Sequence, residues 1–215
     1  RAAVAHLVAP GARATAYGIF NTAYGVAWFL GSSALGVAYD RSIALVIAIL
    51  LLVSLFRYWM HRLQHRNEFL WKLHSYHHRV TDLRASNGEV SNPLDFALRN
   101  VIVFLMLGIV GFNPFAILIA FTITNITAVF SHCGADVRAG FCNYLFVTPE
   151  VHRWHHAVDV PDGYGYSCNY GVEFAFWDVI FGTYYLPYEN GQSVQPARIG
   201  HPTGIGDEAN YLKIL

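Results

Sequence analysis

Eleven histidines stand in the 215-residue chain, and nine of them fall into four groups: His61 with His65; His74, His77 and His78; His132; and His152, His155 and His156. Two groups share the spacing HxxHH, as HSYHH at 74–78 and HRWHH at 152–156, and another has HxxxH, as HRLQH at 61–65. Positions i, i+3 and i+4 of an α-helix share a face, so each HxxHH is expected to project three imidazoles together and the HxxxH two. Buried polar groups without partners are costly, most of all beside lipid, and a bound metal ion removes that cost. A zinc site closes with about four ligands. Nine imidazoles therefore point to two ions with four or five ligands each, leaving room for water or an oxygen-derived ligand. The lone His6 and His201 read as surface or capping residues.

Imidazole suits iron, zinc, copper and nickel alike, so ligand chemistry alone does not name the metal. HRLQH lacks the glutamate of the HExxH zinc proteases, and the chain has no ExxH pair of the kind found in carboxylate-bridged di-iron bundles. An all-histidine pair of metals remains. Two metals can activate water, which leaves a membrane dinuclear zinc hydrolase as one reading.

The elements that must carry these residues are apolar. Hydrophobic residues make up 54% of the chain and charged residues 13%, against about 25% charged in an ordinary soluble domain. Ser42–Met60 holds a single charge, Arg57, and its length suits a membrane-spanning helix. Arg57 is expected to snorkel toward the interface, with Tyr58 and Trp59 in an aromatic belt. A second apolar region is broken by GFNP at 111–114, which predicts a hairpin of two helices, Leu94–Gly111 and Pro114–Ser131. The hairpin returns the chain to one side of the membrane, where Arg62, Arg66, Lys72, Arg79, Arg84, Arg99, Arg138 and Arg153 gather; the positive-inside tendency makes that side cytoplasmic. The fold class expected is an all-α, integral-membrane helical bundle with a cytoplasmic, histidine-rich metal-binding cap.

The balance of 14 basic and 14 acidic residues gives no reason to expect a nucleic-acid partner. Cys133, Cys142 and Cys168 form no CxxC pair, which fits a reducing compartment and no thiolate metal site. The chain starts at Arg1 and reads as part of something longer. Residues 1–42 are rich in Gly, Ala and Ser, as where membrane helices pack closely, and divide from a second unit at 43–215. The stretch 13–42 resembles the last part of a major facilitator superfamily transporter, which leaves a non-enzymatic transporter fragment as a further reading and implies an accessory segment.

With YWMHRLQH at 58–65, LWKLHSYHH at 70–78, FSHCGAD around His132, TPEVHRWHH at 148–156 and NYGVEFAFWDVIFGTYYLP at 169–187, the chain resembles the fatty acid hydroxylase and sterol desaturase superfamily of membrane di-iron oxygenases. The likeness covers roughly residues 45–205. It implies two non-haem iron ions on His61, His65, His74, His77, His78, His132, His152, His155 and His156, which zinc can replace in purified protein. It also implies dioxygen as oxidant and a separate ferredoxin- or cytochrome-type electron donor. The reaction implied is hydrogen abstraction from an unactivated C–H bond of a fatty acyl, sterol or related lipid, ending in hydroxylation or desaturation. Asp82, Asp136 and Asp178, with Glu150 and Asp159, are candidates to orient the imidazoles, and Asn169 is a candidate to support the metals from behind or to ligate directly or through water. Many relatives have an Asp shortly before NYG, where this chain has Ser167 and Cys168. The aromatic stretch FAFWDVIFGTYYLP either lines a substrate tunnel or packs the cap onto the bundle.

Overall fold

The computed structural model describes residue 44 and residues 47–201, apart from 110 and 113. The transporter-like stretch 13–42 and His6 lie outside the described residues. Within them the chain is mostly helical. Helix α1 spans 47–66 and runs past the expected end of the first apolar segment. It stops at Asn67, whose side chain accepts from the Leu70 amide at 3.0 Å and so caps helix α2, Glu68–His74. Two short 3₁₀ turns follow, His77–Arg79 and Ala85–Asn87.

Helix α3, Pro93–Phe96, starts from Asn92, which accepts from the Leu94 amide at 2.9 Å, with proline at the first turn where no amide donor is needed. It passes through a π-turn, Ala97–Val101, into α4, Ile102–Ile109. Helix α5, Pro114–Ser131, brings the chain back. The expected hairpin is thus present. Phe104 meets Phe121 edge-on at 4.9 Å across it, and Ile49 and Val53 of α1 join Val103, Leu107, Ala116 and Ala120 in one core. Among the described residues one helix, Pro114–Ser131, is long and apolar enough to cross a membrane, with a mean hydropathy of 1.8. Ile109, Leu105, Phe115, Leu118 and Ile126 of the hairpin point outward.

The expected belt at the end of the first apolar segment is corrected. Trp59 is exposed, but Tyr58 is 0% exposed and shares a hydrogen bond with the Thr183 hydroxyl at 2.8 Å. Arg57 does not reach an interface: it is 4% exposed and donates to Glu173 at 2.8 Å. A charge left inside needs a partner there, and residue 173 supplies it.

Helix α6, Pro149–His155, again begins with proline, after the N-cap Thr148. Helix α7, Phe176–Phe181, ends at Gly182, whose φ of 68° is the left-handed conformation glycine adopts freely. Val147, Val151, Ala175 and Leu186 form a second core beneath this C-terminal part. The part is not wholly helical: β1, Tyr188–Glu189, pairs antiparallel with β2, Gln192–Ser193. Its aromatic stretch packs onto α1, with Phe181 stacked on Tyr58 at 5.1 Å and Trp177 Nε1 donating to Ser54 Oγ at 3.0 Å.

Candidate metal centre

All nine clustered histidines come together, each buried. They sort into two groups whose offered nitrogens lie within 4.8 Å of one another: His61, His65, His74, His78 and His155 in one, and His77, His132, His152 and His156 in the other. Each HxxHH therefore does not serve one group as a three-imidazole face. On α6 successive residues turn by about 100°, so His155 and His156 diverge and straddle the two groups, with His152 nearer in angle to His156. In the first cluster the α-helix ends at His74 and the chain tightens into the 3₁₀ turn His77–Arg79. There neighbours stand about 120° apart, which sends His77 to one group and His78 to the other.

The inward nitrogens are close. Nε2 of His61 and His74 lie 3.0 Å apart, and those of His78 and His155 3.1 Å apart. In the second group Nε2 of His132 is 3.2 Å from His77 and 3.1 Å from His152, which is 3.1 Å from His156. Two donors bound at about 2.1 Å and at right angles to one ion stand about 3.0 Å apart, so the spacing fits shared ligation. His65 Nε2 is a buried nitrogen with no hydrogen-bond partner, as are Nδ1 of His152 and His156. A metal would satisfy the first of these, which a packed apolar core would not leave open.

Outward nitrogens are held by the backbone. Nδ1 donates to Tyr170 O from His61 at 2.8 Å, to Val90 O from His77 at 2.9 Å, to Ala128 O from His132 at 2.8 Å and to Cys168 O from His155 at 2.8 Å. A carbonyl can only accept, so each of these neutral rings keeps its Nε2 lone pair facing inward. Burial drives the imidazole pKa of His132 down to about 4 and of His155 to about 3. Those of His77, His78, His152 and His156 fall well below the ordinary value, by burial first and then by neighbouring imidazoles. The rings are thereby kept in the neutral form that binds metals.

The acidic candidates divide. Asp82, Asp136 and Asp159 are exposed and pair with Arg84, Arg138 and Arg198. Their nearness to the histidines in sequence does not carry into space. Asp178 is 0% exposed and accepts from the Tyr170 amide at 2.6 Å, the Gly171 amide at 2.8 Å and the Thr183 hydroxyl at 2.7 Å. Burial pushes its carboxyl up to about 6, against the pull of those donors. Asp178 thus holds the loop whose Tyr170 carbonyl meets His61. Asn169 has φ 54°, donates to Val151 O and Tyr185 O, and accepts from the Tyr185 amide. It braces the loop rather than touching a ring. Glu150 accepts from the Ala139 amide, the Asn143 amide group and Ser193. At the position before NYG, Ser167 Oγ donates to His155 O, and the Cys168 carbonyl orients the ring.

Asp95 was not legible as a site residue, yet its Oδ2 lies 3.4 Å from His74 Nδ1. The signals available were the Asn-Pro helix start before it and the i, i+4 pair it forms with Arg99. A cavity of about 360 Å³ opens beside the five-imidazole group, lined in part by His65, Trp71, His78, His155, Tyr166 and Ser167.

The profile of the fatty acid hydroxylase family matches residues 46–183. The chain is 31% identical over 130 residues to the ornithine lipid hydroxylase OlsE of Rhizobium tropici, covering 60% of this chain and 38% of that protein. It is 30% identical over 146 residues to sphinganine C4-monooxygenase 1 of Arabidopsis thaliana, covering 66% and 54%. It is 25% identical over 175 residues to the human alkylglycerol monooxygenase, covering 78% and 33%. It thus spans between about a third and about a half of these relatives' lengths. No solved structure matches. The match runs from α1 to Thr183 and takes in all nine clustered histidines and the loop that orients two of them: the chain belongs to the fatty acid hydroxylase family.

Proposed function

We propose that this chain is the catalytic part of a membrane lipid oxygenase that hydroxylates or desaturates a fatty acyl, sterol or related lipid, using dioxygen and electrons from a ferredoxin- or cytochrome-type donor. The observation that carries this is the pair of buried imidazole groups, five and four strong. His61, His65, His74, His78 and His155 would hold one iron ion, and His77, His132, His152 and His156 the other. Iron bound there supplies the oxidising power needed against an unactivated C–H bond. Membership of the family and the named relatives, which are lipid hydroxylases and monooxygenases, support the substrate class.

The chain's own residues position and enclose. The carbonyls of Cys168, Tyr170, Val90 and Ala128 keep four rings turned inward. The cavity beside the cluster offers an approach for a small molecule or a lipid segment. The outward-facing apolar residues of α4 and α5 fit a hairpin seated in a bilayer, with the histidine-bearing end on the cytoplasmic side. Residues 1–42 act at most as an accessory segment, and their removal spares oxidation.

The test is lipid mass spectrometry of cells with and without the gene, alongside metal analysis of anaerobically purified protein. A gain of one oxygen or a loss of two hydrogens, with about two ions per chain, is expected for wild type and absent for His77→Ala. One tightly held zinc and no oxidised product across a lipid panel would overturn the proposal in favour of hydrolysis.

A further inference from the structure

The clustered imidazoles are not all backed alike. Four donate from Nδ1 to backbone carbonyls. His74 alone, among the described residues, faces a carboxylate: Asp95 Oδ2, 3.4 Å from its Nδ1. Asp95 is 0% exposed. Its Oδ2 also accepts from Arg99 Nε at 3.0 Å, and its Oδ1 accepts from the Gln64 side-chain amide.

These partners come from elements that carry the centre. Gln64 sits on α1 between His61 and His65, and Arg99 lies in the π-turn that follows Asp95. Two donors besides His74, Gln64 and Arg99, thus hold the carboxylate in place. An acceptor behind His74 leaves that ring one neutral form, Nδ1–H, with the Nε2 lone pair aimed inward, where it stands 3.0 Å from His61 Nε2. No carboxylate stands behind a ring of the four-imidazole group among the described residues.

We propose that Asp95 is a positioning residue for the five-imidazole half of the centre, fixing the His74 proton on Nδ1 and placing a negative charge behind that one ligand. The two halves then differ in metal affinity through a residue that touches neither ion. The proposal rests on the reading of the imidazole groups as metal sites. Carboxylates behind histidine ligands typically contribute 10–100-fold to metal affinity.

The test uses the full chain in detergent with zinc(II) as probe and a competing chelator to resolve the ions. Asp95→Asn keeps the side chain's size and removes its charge. It is expected to weaken one ion 10–100-fold and leave the other within about twofold, and the weakened ion is the one that survives His132→Ala. Equal weakening of both ions, or of neither, overturns the proposal while leaving the metal sites standing. Wild type that takes up no zinc overturns the metal reading and the proposal with it. If Asp95→Asn does not fold, nitrogen-15 NMR of zinc-loaded wild type, with His74 assigned by loss of its signal in His74→Gln, decides the matter. A proton on Nδ1 is expected, and a proton on Nε2 overturns the proposal.

Discussion

Removing the Asp178 carboxylate tests how the loop behind His61 and His155 is held. Asp178→Ala strips acceptors from the amides of Tyr170 and Gly171 and from the Thr183 hydroxyl, all inside a site where Asp178 is 0% exposed. Thr183 keeps Tyr58 as a partner, so the uncompensated loss is two buried amides. Each costs about 1–3 kcal/mol when left unsatisfied, which gives about 2–6 kcal/mol in all. For a chain of this size about 1 kcal/mol moves a melting point by roughly 2–4 °C. The expected fall is therefore at least about 4 °C and up to about 24 °C, read by thermal unfolding in detergent. Asp178→Asn retains one acceptor oxygen and should fall between Asp178→Ala and wild type. Because Tyr170 O and Cys168 O orient His61 and His155, Asp178→Ala should also weaken metal retention in the five-imidazole group first. An Asp178→Ala protein that melts within about 2 °C of wild type would refute this account of the loop.

Arg57→Met and Glu173→Leu should each cost about 3–5 kcal/mol, since either leaves one charge of a pair that is 4% and 3% exposed alone in the interior, while the double variant should recover most of the loss; additive melting-point losses would count against it. Gly171→Ala should not accumulate as folded protein, because the added Cβ would stand 2.5 Å from Phe174 O and 2.7 Å from Asp178 Oδ2; a normal yield and melting point would contradict the packing described. Burial raises the Glu150 pKa, but donors from Ser193, Ala139 and Asn143 and the charge of Arg138 hold it, on balance, below its ordinary value of 4.5. A depressed folded value means stability present above 4.5 and lost as pH falls through the folded pKa. The stability gap between wild type and Glu150→Gln should accordingly shrink on acidification below that range, and a gap that widens would reverse the sign.

The helical hairpin was legible because its signals are local: two apolar runs and a Gly-Phe-Asn-Pro break. The histidines were legible as a set for the same reason, since HxxHH and HxxxH spacings are short-range patterns. Their division was not. Which group each ring joins depends on where α2 gives way to a 3₁₀ turn and on how α6 is rotated against its neighbours, and no spacing records either. The supporting carboxylates were least legible. Nearness in sequence favoured Asp82, Asp136 and Asp159, yet all three are exposed in arginine pairs. Asp95, 21 residues beyond His74, is the one brought to a ring, by a helix start after the intervening 3₁₀ turns. Arg57 misled for a similar reason, because its partner Glu173 is 116 residues away.

The block running from Asn169 to Thr183 gains a physical reason from this arrangement. Two carbonyls two residues apart, Cys168 O and Tyr170 O, must both point at imidazoles from different helices, His155 on α6 and His61 on α1. The residue between them must turn the chain from one imidazole to the other. Asn169 does this with φ 54°, a conformation asparagine tolerates better than most residues. Its side chain meanwhile ties α6 to the segment at Tyr185. Gly171 lacks a Cβ because the Phe174 carbonyl and the Asp178 carboxylate occupy that space. Asp178 stands there to receive the two amides the turn exposes, and the Thr183 hydroxyl and carbonyl close the loop onto Asp178 and the Asn169 amide. The asparagine, glycine, aspartate and threonine are thus four parts of one clamp. Altering any of them should disturb His61 and His155 together while leaving His77 and His132, which rest on Val90 and Ala128 carbonyls, in place.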